Sequence, residues 1–202
     1  MLSIEPLEHH SIYDANFTAG GLMLESLDRL APVLLGIDVE QALREESENN
    51  SFVGIKTLGA RKRILSEVAR RYRVAPTDFW RWYFERSARE KALASYFLCM
   101  KAYRLVFDLH HELALRKFRI GSELKALDVE QFLDLLGGKD EYVGGWSEET
   151  LKKLNTQFRK ALKDANLLRG DELVAPSGIP VGFWDYFKEQ KEDWFLEACF
   201  QN

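Results

Sequence analysis

The sequence has few of the residues that build disulfide frameworks, metal sites or membrane spans. Its two cysteines, Cys99 and Cys199, lie a hundred residues apart and form no CxxC pair, so a disulfide scaffold or zinc site is not expected. The longest uncharged apolar stretch, residues 92–100, has nine residues, whereas a bilayer span needs about 20. The first ten residues carry Glu5 and Glu8 where a secretory signal has a basic and then an apolar stretch. We therefore expect a cytoplasmic protein with reduced thiols that does not cross a membrane.

The sequence also lacks the common catalytic motifs. It has no HExxH, phosphate-binding glycine loop, dinucleotide fingerprint or GxSxG. Residues 19–21 read AGG but follow no buried strand, so a phosphate site there is a remote alternative. The histidine pairs, His9 with His10 and His110 with His111, are adjacent in sequence, and adjacent helical side chains point about 100° apart, away from any common metal. We expect no enzyme activity, no cofactor, no metal and no small-molecule substrate.

The spacing of apolar residues predicts an all-α protein. The chain has only five prolines and thirteen glycines, and apolar positions recur mainly every three or four residues, the period of one helix face. The predicted organisation is a polar N-terminal arm (residues 1–16), a helical bundle (17–145) and a C-terminal part (146–202). The bundle contains a basic helix, 57–73, and a long central helix, 87–118.

The predicted central helix is apolar over most of its circumference, which is typical of a helix with neighbours on several sides. We expect Leu93, Phe97, Met100 and Phe107 to be buried. Another helix is predicted over residues 19–31.

Polar residues mark the starts of several predicted helices. Asp38, Thr57, Asp128 and Ser147 each precede a helical pattern and can accept a hydrogen bond from a free backbone N–H. Gly59 is an alternative start for the basic helix.

The C-terminal part contains the one segment that favours β structure, residues 172–181. Its Pro176, Ser177 and Gly178 are typical of a turn, so a short β-hairpin is expected there, followed by an acidic, aromatic tail. Helix 147–168 with this hairpin could form a winged-helix-like unit, or the helix could simply pack with an ordinary solvated face.

Charge is distributed unevenly along the chain. The net charge is −4, but residues 1–55 hold ten acids against two bases (−8), and residues 56–91 hold eleven bases against four acids (+7). An acidic protein of this kind can still present a basic face.

The basic helix is the strongest functional pattern. Four of its cations fall within an arc of about 100° opposite its apolar residues: Lys62, Arg63, Arg70 and Arg73. Such a stripe suits nucleic-acid phosphates, although an ordinary solvated face has the same composition. Lys163 belongs to a second basic helix, 147–168. The residues predicted to contact DNA are Lys56, Arg61, Lys62, Arg63, Arg70, Arg71, Arg73, Arg81, Lys152, Lys153, Arg159 and Lys160.

An aromatic run follows the basic helix and has two interpretations. Residues 79–84 read FWRWYF, and exposed aromatic side chains can stack on bases. Three of them, Phe79, Trp82 and Tyr83, have the i, i+3, i+4 spacing of a buried helix face, which favours packing in the core.

Several short motifs resemble one known family. Residues 17–26 read FTAGGLMLES, residues 48–50 read ENN, and Thr57 is followed by Arg61 and Arg63. The match resumes at residues 146–168, which end in ANLL. In this order and spacing the motifs resemble the BrxA family, small components of BREX bacteriophage-defence systems. The resemblance covers about residues 15–180 and departs from the family at Asn166, where glycine is usual.

The resemblance implies an all-helical protein similar to the antitermination factor NusB, with an added C-terminal part. It also implies binding to double-stranded DNA and a role beside the methyltransferase and ATPase proteins of BREX. The competing hypothesis is a protein-interaction scaffold in the same defence complex, whose basic face meets an acidic partner such as its own residues 1–55.

Overall fold

The structure, a computed structural model, describes residues 11–201. His9, His10 and most of the predicted polar arm lie outside the described residues. The α-helices are α1 (Leu24–Arg29), α2 (Ala31–Leu34), α3 (Val39–Asn49), α4 (Leu58–Arg73), α5 (Thr77–Phe84), α6 (Ala88–Ala102), α7 (Arg104–Asp108), α8 (Leu115–Arg119), α9 (Ala126–Gly137), α10 (Glu141–Gly144), α11 (Glu148–Asp164), α12 (Val181–Glu189) and α13 (Trp194–Ala198). A 3₁₀ turn, Asn16–Ala19, precedes α1, and a π-helical segment, Leu109–Ala114, joins α7 to α8.

The predicted fold class, an all-α bundle with a small C-terminal hairpin, is confirmed. The hairpin pairs β1 (Leu168–Arg169) with β2 (Glu172–Leu173) in antiparallel register. Each helix between residues 11 and 201 is too short or too polar to cross a lipid bilayer.

Three helices have an N-cap side chain at the residue that the sequence predicts. Asp38 accepts a hydrogen bond from the backbone of Gln41, Thr57 begins α4, and Ser147 begins α11 in the same way. Asp128 acts differently from its predicted role as the N-cap. Helix α9 begins at Ala126, two residues before Asp128. Asp128 therefore lies in the first turn of the helix, and its carboxylate accepts a hydrogen bond from the Lys125 N–H at 2.7 Å.

The predicted continuous helix over residues 87–118 is divided in the structure. Helix α6 ends because the backbone of Tyr103 is extended (φ −126°, ψ 109°). The Tyr103 hydroxyl donates to Glu67 at 2.6 Å and accepts from Arg71 at 3.3 Å, both on α4. This attachment to a neighbouring helix holds the side chain at the point where the helix changes direction.

Helix α6 nevertheless lies at the centre of the molecule. Leu93, Phe97 and Met100 are buried as predicted, whereas Phe107, beyond the break, is only partly buried. The Phe97 ring meets aromatic rings from three other helices, α5, α12 and α13. The core is therefore built around α6 by segments distant in sequence.

The N-terminal helix predicted over residues 19–31 is shorter in the structure. Gly21 and Met23 have left-handed backbone conformations (φ 55° and 57°), so α1 begins only at Leu24. The Gly21 carbonyl accepts a hydrogen bond from the Arg71 guanidinium at 2.6 Å. Because this bond uses the carbonyl that a continuing helix would need, the turn is fixed against α4.

The hairpin lies earlier in the chain than its predicted position at residues 172–181. Its turn contains Gly170, whose φ of 62° favours glycine, and Leu168 faces Leu173 across the pair, both buried. Asn166 is left-handed (φ 58°), a conformation that asparagine tolerates. The chain can therefore reverse directly after α11.

The acidic, aromatic tail contributes to the core. Phe183, Phe187 and Phe195 are fully buried, and Tyr186 stacks on Trp82 with ring centroids 4.0 Å apart. Apolar burial is the dominant favourable term in folding, so α12 and α13 are structural elements of the bundle.

Candidate nucleic-acid interface

The cations of α4 have different environments, and Arg71 does not lie on the predicted surface. Arg71 is 1% exposed, and its guanidinium donates to the Gly21 carbonyl and the Tyr103 hydroxyl. Helical side chains at positions 71 and 73 point about 200° apart, so Arg71 faces the core while Arg73 faces outward. The prediction that Arg71 contacts DNA is wrong in this fold.

Three further α4 cations pair with acidic residues from the N-terminal quarter of the chain. The pairs are Lys62–Glu48 (3.0 Å), Arg70–Asp14 (2.7 Å) and Arg73–Glu40 (2.6 Å). The hydrogen bonds from Arg73 also hold the pKa of the Glu40 carboxyl below its ordinary value. The basic stripe of α4 thus meets acidic residues of the same chain, which reduces its positive potential.

The other residues of this region that are predicted to contact DNA differ in whether their side chains are free to bind an anion. Arg61 donates to the backbone carbonyls of Ser47 (2.9 Å) and Ile55 (3.0 Å), and so ties the loop before α4 to the helix. Lys56, Arg63 and Arg81 are exposed, and their side chains have no hydrogen-bond or ion-pair partner in the described part of the chain. These three remain available to an anion.

The aromatic run of α5 is part of the core. Phe79, Trp80 and Tyr83 are buried, and Trp82 is half-buried beneath Tyr186. The core-packing interpretation is confirmed, and these rings are not exposed for base stacking.

Helix α11 presents a more open basic surface. The Ser147 cap begins the helix, and Leu154, Phe158 and Leu162 bury one side of it. On the other side five cations fall within an arc of about 120° at 100° per residue. They are Lys152, Lys153, Arg159, Lys160 and Lys163, and we call them the α11 basic face.

The carboxylates near the α11 basic face bind it weakly. Lys152 and Lys153 pair with Glu148 and Glu149 one turn away, and Lys160 pairs with Asp164. The three lysines are well exposed, and exposed pairs of this kind contribute about 0–1 kcal/mol. Lys163 is exposed without a partner among residues 11–201. Phosphates can replace such carboxylates at little cost.

A groove of about 460 Å³ runs beside the α11 basic face, between this helix and the start of α9. The buried side chain of Asn155 (5% exposed) lines it and donates to the Ala126 carbonyl at 3.0 Å and to Glu130 at 3.2 Å. Arg159 also lines the groove and is held by an ion pair with Asp171 at the hairpin tip. The groove wall is therefore fixed by packing, with exposed lysines along its rim.

The buried polar groups elsewhere are structural. His110 meets the Tyr96 hydroxyl at 2.7 Å, and burial lowers the pKa of its ring to about 3. Cys99 and Cys199 are free and buried, and burial raises the pKa of both thiols. Among residues 11–201 no cluster of His, Cys, Asp and Glu is arranged to hold a metal ion.

A model of the BrxA family matches residues 11–177 of the chain, which includes α4, α11 and the hairpin. The chain belongs to the BrxA family. Membership indicates a BREX-associated role for this protein. The matched range includes the residues of α9 and α11 that line the groove.

A solved structure shows that the fold is shared beyond this chain. The crystal structure of an uncharacterized protein from Magnetospirillum magneticum superposes with a TM-score of 0.76 at 21% sequence identity, covering 94% of this chain and 98% of that one. At this identity the likeness concerns the fold alone. Comparison with curated proteins gives no match.

Sequence reasoning did not single out Asn155, a buried polar residue of the groove in this BrxA-family chain. Asn155 follows Leu154 within the apolar stripe of α11, and a polar residue at such a position signals a buried hydrogen bond. The prediction included Lys152, Lys153, Arg159 and Lys160, which the structure brings together on one face.

Proposed function

We propose that this protein is a non-catalytic, double-stranded-DNA-binding component of a BREX phage-defence system, acting beside its methyltransferase and ATPase proteins. One observation carries the DNA-binding part, namely the five cations on one exposed side of α11. Their lysines are held only by weak neighbouring carboxylates. Three further exposed cations belong to the proposed contact area, namely Lys56 before α4, Arg63 on α4 and Arg81 on α5.

The proposed contacts are with phosphates. Lysine and arginine release condensed counterions when they neutralise a phosphate, so the affinity depends on salt but little on sequence. Reading of bases needs a side chain delivered into a groove of the duplex, and Asn155, the amide in the groove beside the α11 basic face, is buried.

The test compares two variants that each lose four charges. One replaces Lys152, Lys153, Lys160 and Lys163 by Gln, and the matched control replaces Lys56, Lys62, Arg63 and Arg73 by Gln. All eight side chains are exposed, so both variants should fold. Electrophoretic shifts with several duplexes over a salt series give the affinity and its salt dependence.

We expect the α11 variant to lose affinity on every duplex alike. The slope of log affinity against log salt should shrink by about 0.9 for each phosphate that the variant no longer neutralises. The α4 variant should show a smaller loss, because Glu40 already holds Arg73 through two hydrogen bonds (2.6 and 2.7 Å), whereas each paired α11 lysine has a single carboxylate contact. A folded α11 variant with unchanged affinity and slope would falsify the proposed interface.

A second candidate function is a protein-interaction scaffold in the same complex. The ion pairs between α4 and acidic residues 14, 40 and 48 favour it, because this basic stripe already has an acidic partner. Helix α9 also exposes Leu127 and Leu135. If the α11 variant still associates with the BREX proteins and the wild type does not bind DNA, the scaffold is the correct function.

A further inference from the structure

A small cavity lies directly beyond the last turn of α11. It has a volume of about 120 Å³ and is bounded by the first turn of α6, the residues after α11 and the loop that follows the hairpin. Leu93 and Ala165, both buried, form part of its wall. A water molecule occupies about 30 Å³ in the liquid, so the cavity has room for a group of a few heavy atoms.

Two arginines line this cavity without a counter-ion. Arg89 is on α6 and Arg169 on β1, and neither side chain has a carboxylate or hydrogen-bond partner within the described residues. Most other cations of the chain have such partners, including Arg159, which pairs with Asp171 two residues beyond Arg169. Two exposed arginines without a counter-ion thus line one cavity.

The loop after the hairpin passes close to Arg89. A Cβ atom built on Gly178 would lie 3.4 Å from Nη1 of Arg89, and the φ of Gly178 is 72°. The guanidinium of Arg89 therefore lies next to the turn at Gly178.

The remaining polar groups of the cavity are neutral. Asn166 and Ser177 line it, and no carboxylate of residues 11–201 does so. An amide and a hydroxyl supply donors beside two guanidinium groups, each of which can bind a phosphate oxygen pair in a fork. This set of donors suits a compact anion.

We propose that the Arg89–Arg169 cavity binds one phosphate group. The assignment to a phosphodiester of duplex DNA rests on the proposed function, because the cavity adjoins the end of the α11 basic face. The phosphate of a free nucleotide or inorganic phosphate has the same chemistry and is the other possible source.

The test uses the full chain and a double variant, Arg89→Gln with Arg169→Gln. Its matched control is Lys139→Gln with Lys191→Gln, which removes two exposed charges away from the cavity. Inorganic phosphate is titrated at constant ionic strength, and the arginine Nε–H signals are followed by NMR. The same proteins are then measured with duplex DNA over a salt series.

Phosphate should shift the Arg89 and Arg169 signals, and the double variant should bind it at least about tenfold more weakly than the control. With duplex DNA, a salt slope smaller by about 0.9 in the double variant alone supports the phosphodiester as ligand. Loss of phosphate binding with an unchanged DNA slope supports the cavity as a site for a free phosphate.

Unshifted arginine signals, or equal phosphate affinity in all three proteins, would overturn the proposal. The phosphate titration does not depend on DNA, so it decides the cavity's role even if the chain fails to bind a duplex.

Discussion

At the scale of single residues, Arg71 places a positive charge inside the protein. Its guanidinium joins the Gly21 turn to Tyr103, whose hydroxyl also bonds the buried carboxylate of Glu67. Removal of one member of a buried charged network leaves the others uncompensated. Arg71 therefore connects α4, the N-terminal turn and the end of α6.

We predict that Arg71→Gln lowers the free energy of unfolding by about 3–5 kcal/mol. The exposed neighbour on the same helix, Arg63→Gln, should change it by less than about 0.5 kcal/mol. Urea unfolding followed by circular dichroism measures both. Equal small losses in the two variants would contradict the structural role of Arg71.

His110 makes stability depend on pH. Burial holds the pKa of its ring at about 3 in the folded protein, compared with 6.5 for the unperturbed group. Above pH 6.5 the ring is neutral in both states. Below this pH only the unfolded chain takes up the proton, so stability falls as the pH drops from 6.5 towards 3.

Between pH 7.5 and 5.0 this group should remove about 2 kcal/mol of unfolding free energy. The loss should be absent from His110→Gln, measured by urea unfolding at the two pH values. An identical pH dependence in the variant and the wild type would show that other groups cause it.

The residue scale also shows where sequence reasoning about the site succeeds. Helical periodicity gives the direction of each side chain relative to its own helix, and the exposure of Lys152, Lys153 and Lys160 follows from it. It does not give the neighbouring segment, so the burial of Arg71 and the pairing of Arg70 with Asp14 could not be predicted.

At the scale of elements, local signals locate helix starts better than helix interruptions. The caps at Asp38, Thr57 and Ser147 depend on atoms three residues away and were predictable. The break at Tyr103 depends on contacts of its hydroxyl with Glu67 and Arg71, more than 30 residues away in sequence. The spacing of apolar residues within α6 carries no information about those contacts.

We predict that Phe97→Ala on α6 costs about 3–5 kcal/mol, because the ring is 3% exposed and surrounded by other aromatic rings. The exposed Leu127→Ala on α9 is the control and should cost much less. Chemical unfolding of both variants gives the comparison. A Phe97→Ala loss below about 1 kcal/mol would show that α6 is not the central element.

At the scale of the whole molecule, the uneven charge of the sequence becomes a spatial arrangement. The acidic N-terminal quarter covers part of α4 through Glu40, Glu48 and Asp14, which leaves the α11 basic face as the more open surface. The net charges of the sequence segments predict that a basic face exists but not where it lies. Location depends on which segments pack together, and that information is not local in sequence.

The contacts of the tail have a consequence for the synthesis of the protein. Phe187 and Phe195 pack on Phe97. Phe97 leaves the ribosome first, because it lies about a hundred residues before them in the chain. Because translation adds about 5–20 residues per second, α6 spends several seconds outside the ribosome before its apolar side can be covered. The nascent chain cannot complete its core until α12 and α13 have emerged, and during that interval it is a natural client for chaperones.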